Sequence, residues 1–581
     1  MKFTEEQLAI IQSDTDLKVN AVAGSGKTST LLAYAKQHAD KRILYLVFNK
    51  SVKEEAKLKF QEQGLRNTTV ETAHSLAYGA MRSKGHIELR HQGYTAFDVR
   101  ELLQFSMGDL ITEMKIASHV VKMASCFCNS QELKLKDCPY LSFLPPGQER
   151  QFAEEYFDLI HQSTRDFLGL MHRRKQPLTH EFYLKQYQLS QPRLNYDIIL
   201  FDEGQDASGV MLDIFLKQAA RKVIVGDQNQ QIYSWRYAIN ALTEVDFEEK
   251  VLTNSFRFPQ DIADIANDVL ARKEHLDYPK SPTIKGLAET RLMTSPARAT
   301  LGRTNSGILV SAIDQLIEEK EIKSLYFEGN FETYTYADEN GSIWDILNLH
   351  QGKKHQIRNN LIRGMKGMTQ LKEYAEETND SSLKGLIEIV VKYQSELPYL
   401  IKKIKNAQVE VDEKDKADMI FSTIHKAKGM EYDQVTLTAD FLTEDRLLET
   451  IGSADKASLD KGRLGEEINL LYVGVTRTKQ QLNMPNDLLP VEMQEPEDEK
   501  KGTGFFDLPD WRFSQQEKSS KSIKQSRQTN PNAYKKWTAA EDQELQDRYA
   551  EQQPIKRISQ EMGRNKGAIY SRLKKLGLAE E

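Results

Sequence analysis

A chain of 581 residues, 39% hydrophobic and 28% charged with a formal net charge of −6, has the length for about four domains of ~150 residues and for sizeable cores. Its 23 Phe and 23 Tyr beside 31 Gly and 16 Pro exclude a mostly disordered or fibrous polymer, and three cysteines are too few for a disulfide scaffold. No run approaches the ~20 apolar residues of a membrane span and the first residues carry no signal-peptide pattern, so no membrane association and a cytoplasmic location are expected, nucleoid-associated in a bacterium.

In chain order, a strand is expected over Leu17–Asn20 and a helix over Ser29–His38. Between them lies Ala21-Val-Ala-Gly-Ser-Gly-Lys-Thr28. Glycines in such a loop let backbone N–H groups and the helix N-terminus face phosphates, so Ala23, Gly24, Ser25, Gly26, Lys27, Thr28 and Ser29 form a phosphate cradle. Lys27 would reach the β- and γ-phosphates and the Thr28 hydroxyl would ligate Mg²⁺. The strict pattern opens with Gly, where this chain has Ala21.

Arg42–Phe48 reads as a buried parallel strand, whereas 86–190 reads as mainly helical. Asp197–Phe201 is a further strand and ends on Asp202 and Glu203. That placement suits Asp202 as the Mg²⁺ partner and Glu203 as the base for an attacking water, so ATP hydrolysis is expected. Strands follow at Lys222–Gly226 and Gln434–Thr438, with another mainly helical stretch from about 340 to 412 between them. Cys126, Cys128 and Cys138, with His119 nearby, lack paired CxxC spacing and read as buried thiols in a helical insertion rather than a zinc site.

The charge is uneven along the chain. Ser514–Glu581 holds 14 Lys/Arg against 9 Asp/Glu, a net of +5, which leaves −11 on the first 513 residues. The boundary passes through an acidic run from Glu492 and a Ser/Lys/Gln-rich linker up to Tyr534. Beyond it, Thr538 caps a first helix, Pro554–Met562 forms a second, Gly563 turns the chain, and Asn565–Leu576 forms a third. These look like a Myb/SANT-type helix-turn-helix unit. Arg564, Lys566, Arg572, Lys574 and Lys575 would put positive charge on or beside its last helix, for duplex DNA or, since that fold serves both uses, a protein partner.

The remaining motifs resemble, in order, the superfamily 1 helicases of the UvrD/Rep/PcrA type. Phe3-Thr-Glu-Glu-Gln7 is similar to the Q motif, Tyr45–Ser51 and Glu71–Ala77 to motifs Ia and Ib, and Gly226–Arg236 to motif III. Leu252–Arg257 is similar to motif IV, Leu301–Asn305 to the element after it, Ser422–Glu431 to motif V and Glu467–Arg477 to motif VI. Phe48–Ser51, Ser255–Phe258 and Ile343–Ile346 are worded most like the F-box DNA helicases, although no F-box is present and no ubiquitin-ligase role is implied. Gly204 and Gly474 depart from the family pattern, the former standing where Ala is usual.

The resemblance implies an α/β fold: two RecA-like P-loop domains with helical insertions and a small all-α C-terminal three-helix domain. The first RecA-like domain would span 1–85 and 191–251 with an insertion at 86–190. The second would span 252–340 and 413–490 with a compact insertion at 341–412, followed by a linker at 491–534 and the three-helix unit at 535–581. It also implies ATP and Mg²⁺ in the cleft. Gln7 and Phe256 would contact adenine, Glu431 the ribose, and Gln230, Arg257 and Arg477 would act with Lys27 and Glu203 in catalysis. Single-stranded DNA and its junctions with duplex would lie on Phe48, Tyr233 and Trp235 as stacking faces, with Asn49, His74, Arg236 and His425 as polar contacts. The expected activity is 3′→5′ translocation and unwinding in repair, recombination or replication. The alternatives are a translocase that displaces or remodels bound proteins with little strand separation, and a DNA-binding scaffold without ATPase activity.

Overall fold

The computed structural model describes residues 2–489 apart from 84, 291–295, 319–321, 338–340, 379 and 454–458. Beyond 489 it describes 539–550, 553, 557, 558, 561, 562 and 572. The chain divides into two compact units, 1–503 and 504–581.

Two parallel sheets organise the first unit. The first contains β1 (Leu17–Ala21), β2 (Ile43–Val47), β3 (Thr68–Thr72), β4 (Ile198–Phe201), β5 (Arg221–Gly226) and β6 (Glu248–Leu252), in the order β3-β2-β4-β5-β1-β6. Every residue of β2 and β4 is buried, the composition demanded of strands covered on both faces. Val19 lies opposite Val225 and Lys250, and Tyr45 opposite Leu200 and Val70. This register brings the carboxyl ends of β1, β2, β4 and β5 to one edge, where open α/β sheets bind ligands. Ile10, Leu31, Tyr34, Phe60 and the inward strand residues form the core beneath.

A short pairing of β7 (Asn254–Ser255) with β8 (Lys285–Gly286) follows. The second sheet contains β9 (Arg298–Gly302), β10 (Leu325–Phe327), β11 (Met419–Thr423), β12 (Tyr432–Leu437) and β13 (Thr478–Asn483), in the order β10-β11-β9-β12-β13. The mixed α/β class with parallel sheets is the one the sequence predicts.

Helices separate β3 from β4 and β10 from β11. The first group includes Ala96–Leu103, Leu110–Asn129, Phe157–His172 and His180–Leu189, and the second Ile343–His350, Met368–Glu377, Ser381–Tyr393 and Leu397–Ala407. Thr95 and Ser342 open their helices with reciprocal capping boxes, which satisfy two otherwise orphan backbone donors at each start. Cys126, Cys128 and Cys138 are all buried, with Cys126 Sγ 3.2 Å from Cys138 Sγ. His119 faces elsewhere: its Nδ1 lies 2.6 Å from the Tyr140 hydroxyl, and burial with Lys122 and Lys115 lowers its imidazole to about 3.

Among the described residues no helix is long and apolar enough to cross a membrane. In the second unit the helix Ala539–Ala550 buries Leu545, and Arg548 pairs with Glu544 and Glu561. Ile558 and Met562 are also buried. Thr538, Pro554, Gly563, Arg564, Lys566, Lys574 and Lys575 lie outside the described residues, as does the linker 491–534.

Candidate functional site

β1 ends at Ala21 and a helix starts at Lys27, leaving a tight loop at the sheet edge. Gly24 and Gly26 take φ of +73° and +78°, left-handed values open to glycine without strain. Gly26 occupies the N-cap of the helix Lys27–Gln37 and provides no side-chain cap, so the helix start presents backbone N–H groups of the kind that bind phosphate. Close approach is a second reason for glycine. A Cβ on Gly24 would lie 2.5 Å from Arg257 Cβ, and Phe256 N donates to Gly24 O at 2.9 Å. Residues 255–257 are thus fastened directly onto the loop.

Gln7 is buried under the same loop. Its Oε1 accepts from Thr4 N in a capping box, and its Nε2 donates to Ser25 O at 3.4 Å. The Phe256 ring is 49% exposed and lies 4.0 Å from where a Gly26 Cβ would stand. An exposed aromatic face beside an amide at the edge of a phosphate loop has the chemistry to hold a nucleobase. Lys27 Nζ donates to Ala21 O at 3.5 Å.

Asp202 and Glu203 follow β4. Asp202 is buried and accepts from the Tyr45 hydroxyl at 2.5 Å. Burial, then the neighbouring Glu203, raises the Asp202 carboxyl above its ordinary value. Burial acts in the same sense on Glu203, but Lys27, Lys428, the Gln205 amide and Arg477 outweigh it and hold that carboxyl below its ordinary value. Glu203 has φ of 55°, a left-handed conformation uncommon for a residue with a side chain and typical of a strained functional turn.

A hydrogen-bonded chain leaves this turn. Gln205 donates to Glu203 and accepts from Asp227 N at 3.0 Å. Asp227 accepts from Gln230 Nε2 at 2.8 Å and from the Tyr472 hydroxyl at 2.8 Å. Gln230 Oε1 accepts from Arg477 at 3.3 Å, and Ala23 N donates to the Tyr472 hydroxyl at 3.4 Å. Arg477 is buried, also donates to Val473 O and Met430 O, and is lowered to about 10 by burial and by Arg257. Arg257 donates to Thr476 O at 2.8 Å and pairs with Glu431 at 2.7 Å, while its Nε is buried without a partner. Lys428 crosses from the segment after β11 to Asp206 at 2.5 Å and Gln230 O at 2.6 Å. Burial, opposed by Lys428, raises Asp206 to about 6.

A second cluster begins three residues beyond Gln230. The Phe48 and Tyr233 rings stack with centroids 5.8 Å apart and 15° between planes. Tyr233 donates to His425 O at 3.0 Å, and the His425 ring lies 6.3 Å edge-on from Trp235. Arg236 covers Trp235 at 4.5 Å, and Trp235 is 60% exposed. Burial, then Arg303, lowers His425 to about 4, so it is neutral near pH 7. Of the residues expected on this face, Phe48, Tyr233, Trp235, Arg236 and His425 come together. Asn49 instead spends its Oδ1 capping the helix Lys50–Glu62, accepting from Val52 N at 2.9 Å. His74 packs against Tyr183 and His180 at 6.1 and 6.4 Å.

Residues 3–248 match the UvrD/REP helicase N-terminal domain. The chain belongs to the UvrD-like helicase family. It is 31% identical over 523 residues to F-box DNA helicase 1 of Gallus gallus, covering 84% of this chain and 49% of that protein. F-box DNA helicase protein 1 of Schizosaccharomyces pombe is 28% identical over 529 residues, 82% of this chain and 57% of the relative. ATP-dependent DNA helicase PcrA of Leuconostoc citreum is 25% identical over 346 residues, 54% and 44% of the two chains. The chain thus spans about half the length of the curated relatives it matches.

The two departures from the UvrD-like pattern have a packing reason. A Cβ on Gly204 would stand 2.6 Å from Ile224 Cγ1, and one on Gly474 would stand 3.0 Å from Ile424 and 3.1 Å from Leu437. Reasoning from sequence missed Tyr45, Gln205, Asp227, Lys428 and Tyr472. Each lies inside or beside a recognised motif, and a buried polar side chain on an apolar strand, as Tyr45 is on β2, was the available signal.

Proposed function

We propose that this chain is an ATP-driven DNA helicase that translocates 3′→5′ on single-stranded DNA. One observation carries the reading: the segment Asp227–Arg236 reaches both clusters. Its first residues join the chain from Glu203 to Arg477, and its last residues form the aromatic face. A change on the nucleotide side would therefore be felt at the stacking rings through a few residues of backbone.

In this reading ATP lies on the 23–29 loop, with adenine between Gln7 and Phe256 and the ribose near Glu431. The donor set of Thr28 at the helix start and Asp202 at the end of β4, both oxygen ligands, fits Mg²⁺, which when bound neutralises phosphate charge. Glu203, kept ionised by Lys27, Lys428 and Arg477, orients the attacking water and takes its proton. Gln230 holds Arg477 towards the site, and Arg257 and Arg477 stabilise charge on the departing phosphoryl group. Arg477 comes from the turn between the helix Lys461–Val475 and the last strand of the second sheet, so its position depends on closure of the cleft, which ties hydrolysis to movement. Base stacking at Phe48, Tyr233 and Trp235 suits sequence-independent translocation.

The test is ATPase activity with and without single-stranded DNA, alongside unwinding of 3′-tailed and 5′-tailed duplexes. DNA-stimulated hydrolysis and unwinding from the 3′ tail are expected, and Lys27→Ala should abolish both. Hydrolysis indifferent to DNA would overturn the reading, and unwinding only from a 5′ tail would overturn the polarity. Stimulated hydrolysis with little unwinding would favour the protein-displacing translocase.

A further inference from the structure

A large cavity lies away from the nucleotide cleft. It has a volume of about 1330 Å³ and is bounded by the helices following β3, the loop carrying Trp235, and the segment that opens the helices before β11. Ordinary small-molecule pockets hold ~300–1,000 Å³, so this space suits a stretch of polymer better than a metabolite. Two of the chain's four tryptophans, Trp235 and Trp344, line it, with the 41%-exposed Tyr336. Trp344 sits in the first turn of the helix Ile343–His350, fixed by the Ser342 capping box, and is half-buried.

The charged lining is largely paired within the protein. Arg90 pairs with Asp98 and Lys122 with Glu149, whereas Arg358 has no carboxylate partner among the described residues. Asp345 accepts from the Ser342 hydroxyl at 2.7 Å and from Arg358 N at 2.7 Å, and Asp98 accepts from Arg90 at 2.6 Å and Thr95 N at 2.9 Å. Aromatic faces beside a guanidinium not engaged by a carboxylate, with the acids already satisfied, are the chemistry of a single-stranded nucleic-acid groove. Trp235 belongs to both this lining and the Phe48–Tyr233 cluster, so the two surfaces are continuous.

We propose that the bound strand runs on from Trp235 into this cavity and that Trp344 is a second stacking platform for it, with Arg358 beside the phosphates. This rests on the single-stranded DNA reading above and extends the path onto the helices between β10 and β11. Stacking contributes ~1–3 kcal/mol per base, so losing one platform weakens binding about tenfold or more.

The test uses the full chain and thymidine oligonucleotides of ~5 and ~15 residues, read by fluorescence anisotropy. Trp344→Ala is expected to weaken the longer oligonucleotide about tenfold and the shorter one little, while Trp344→Phe, which keeps an aromatic face, retains affinity for both. A long oligonucleotide carrying 5-iodo-deoxyuridine should photo-crosslink to Trp344 in the unaltered chain, a readout independent of how the variants fold. Crosslinks confined to Trp235 and its neighbours, or equal affinities for all three proteins, would overturn the second platform while leaving DNA binding intact. Failure of the unaltered chain to bind either oligonucleotide would overturn the DNA reading itself and this inference with it.

Discussion

The two ends of the segment Asp227–Arg236 are built on opposite principles. Asp227 and Gln230 are 1% and 5% exposed and hydrogen-bonded on both sides, whereas Trp235 is 60% exposed and held only by ring contacts with His425 and Arg236. Hydrolysis requires groups fixed before the reaction begins, because charge stabilisation is strongest when no reorganisation is needed. A strand that slides requires faces that accept any base. The contrast teaches that one short stretch can serve both needs if its buried end is bonded and its exposed end is aromatic.

The strongest way to break the bonded end is Arg477→Lys. An ammonium cannot reproduce the fork that spans Val473 O, Met430 O and Gln230. A fall of roughly 10³-fold or more in kcat is expected, the scale of losing an arginine at a departing phosphoryl group, measured by steady-state ATPase with a thermal melt as the folding control. At the aromatic end, Trp235→Ala should weaken single-stranded DNA about tenfold, read by anisotropy. An effect of that size on kcat with none on affinity would erase the distinction between the two ends.

The smallest effect sharpens the comparison through pH. Burial raises Asp206 to about 6 against the pull of Lys428, so lowering the pH through 6 protonates it and loosens Lys428, which also holds Gln230 O. The kcat of the unaltered chain should fall several-fold on the acid side of about 6. Asp206→Asn should begin from the lower rate and show a shallower acid limb, the remainder coming from Asp202, which burial and Glu203 also raise to about 6. His425, lowered to about 4, should leave DNA affinity without a corresponding step between pH 5.5 and 8.

What could be read from sequence was local. β1, β2, β4 and β5 announce themselves as short apolar runs, and the 21–28 loop by its glycines and lysine, because strand burial and phosphate cradling need only neighbours in sequence. Asn49 was legible in another sense: an Asn directly before a helical run is a strong N-cap, and the structure uses it so. The bond from Tyr472 to Asp227 spans 245 positions and that from Lys428 to Asp206 spans 222. No periodicity encodes such partners, because they depend on how two sheets meet. The cavity at Trp344 was hidden for the same reason, since its lining comes from three separated segments.

Gly204 and Ile224 jointly fill one volume, since the missing methyl of one is the space taken by the branched side chain of the other. A Gly204→Ala substitution must then take its room from Ile224, so the two sites share one packing constraint. The turn that carries Glu203 is thereby keyed to the packing of β5, so bulk added on that strand would be felt at the catalytic carboxylate.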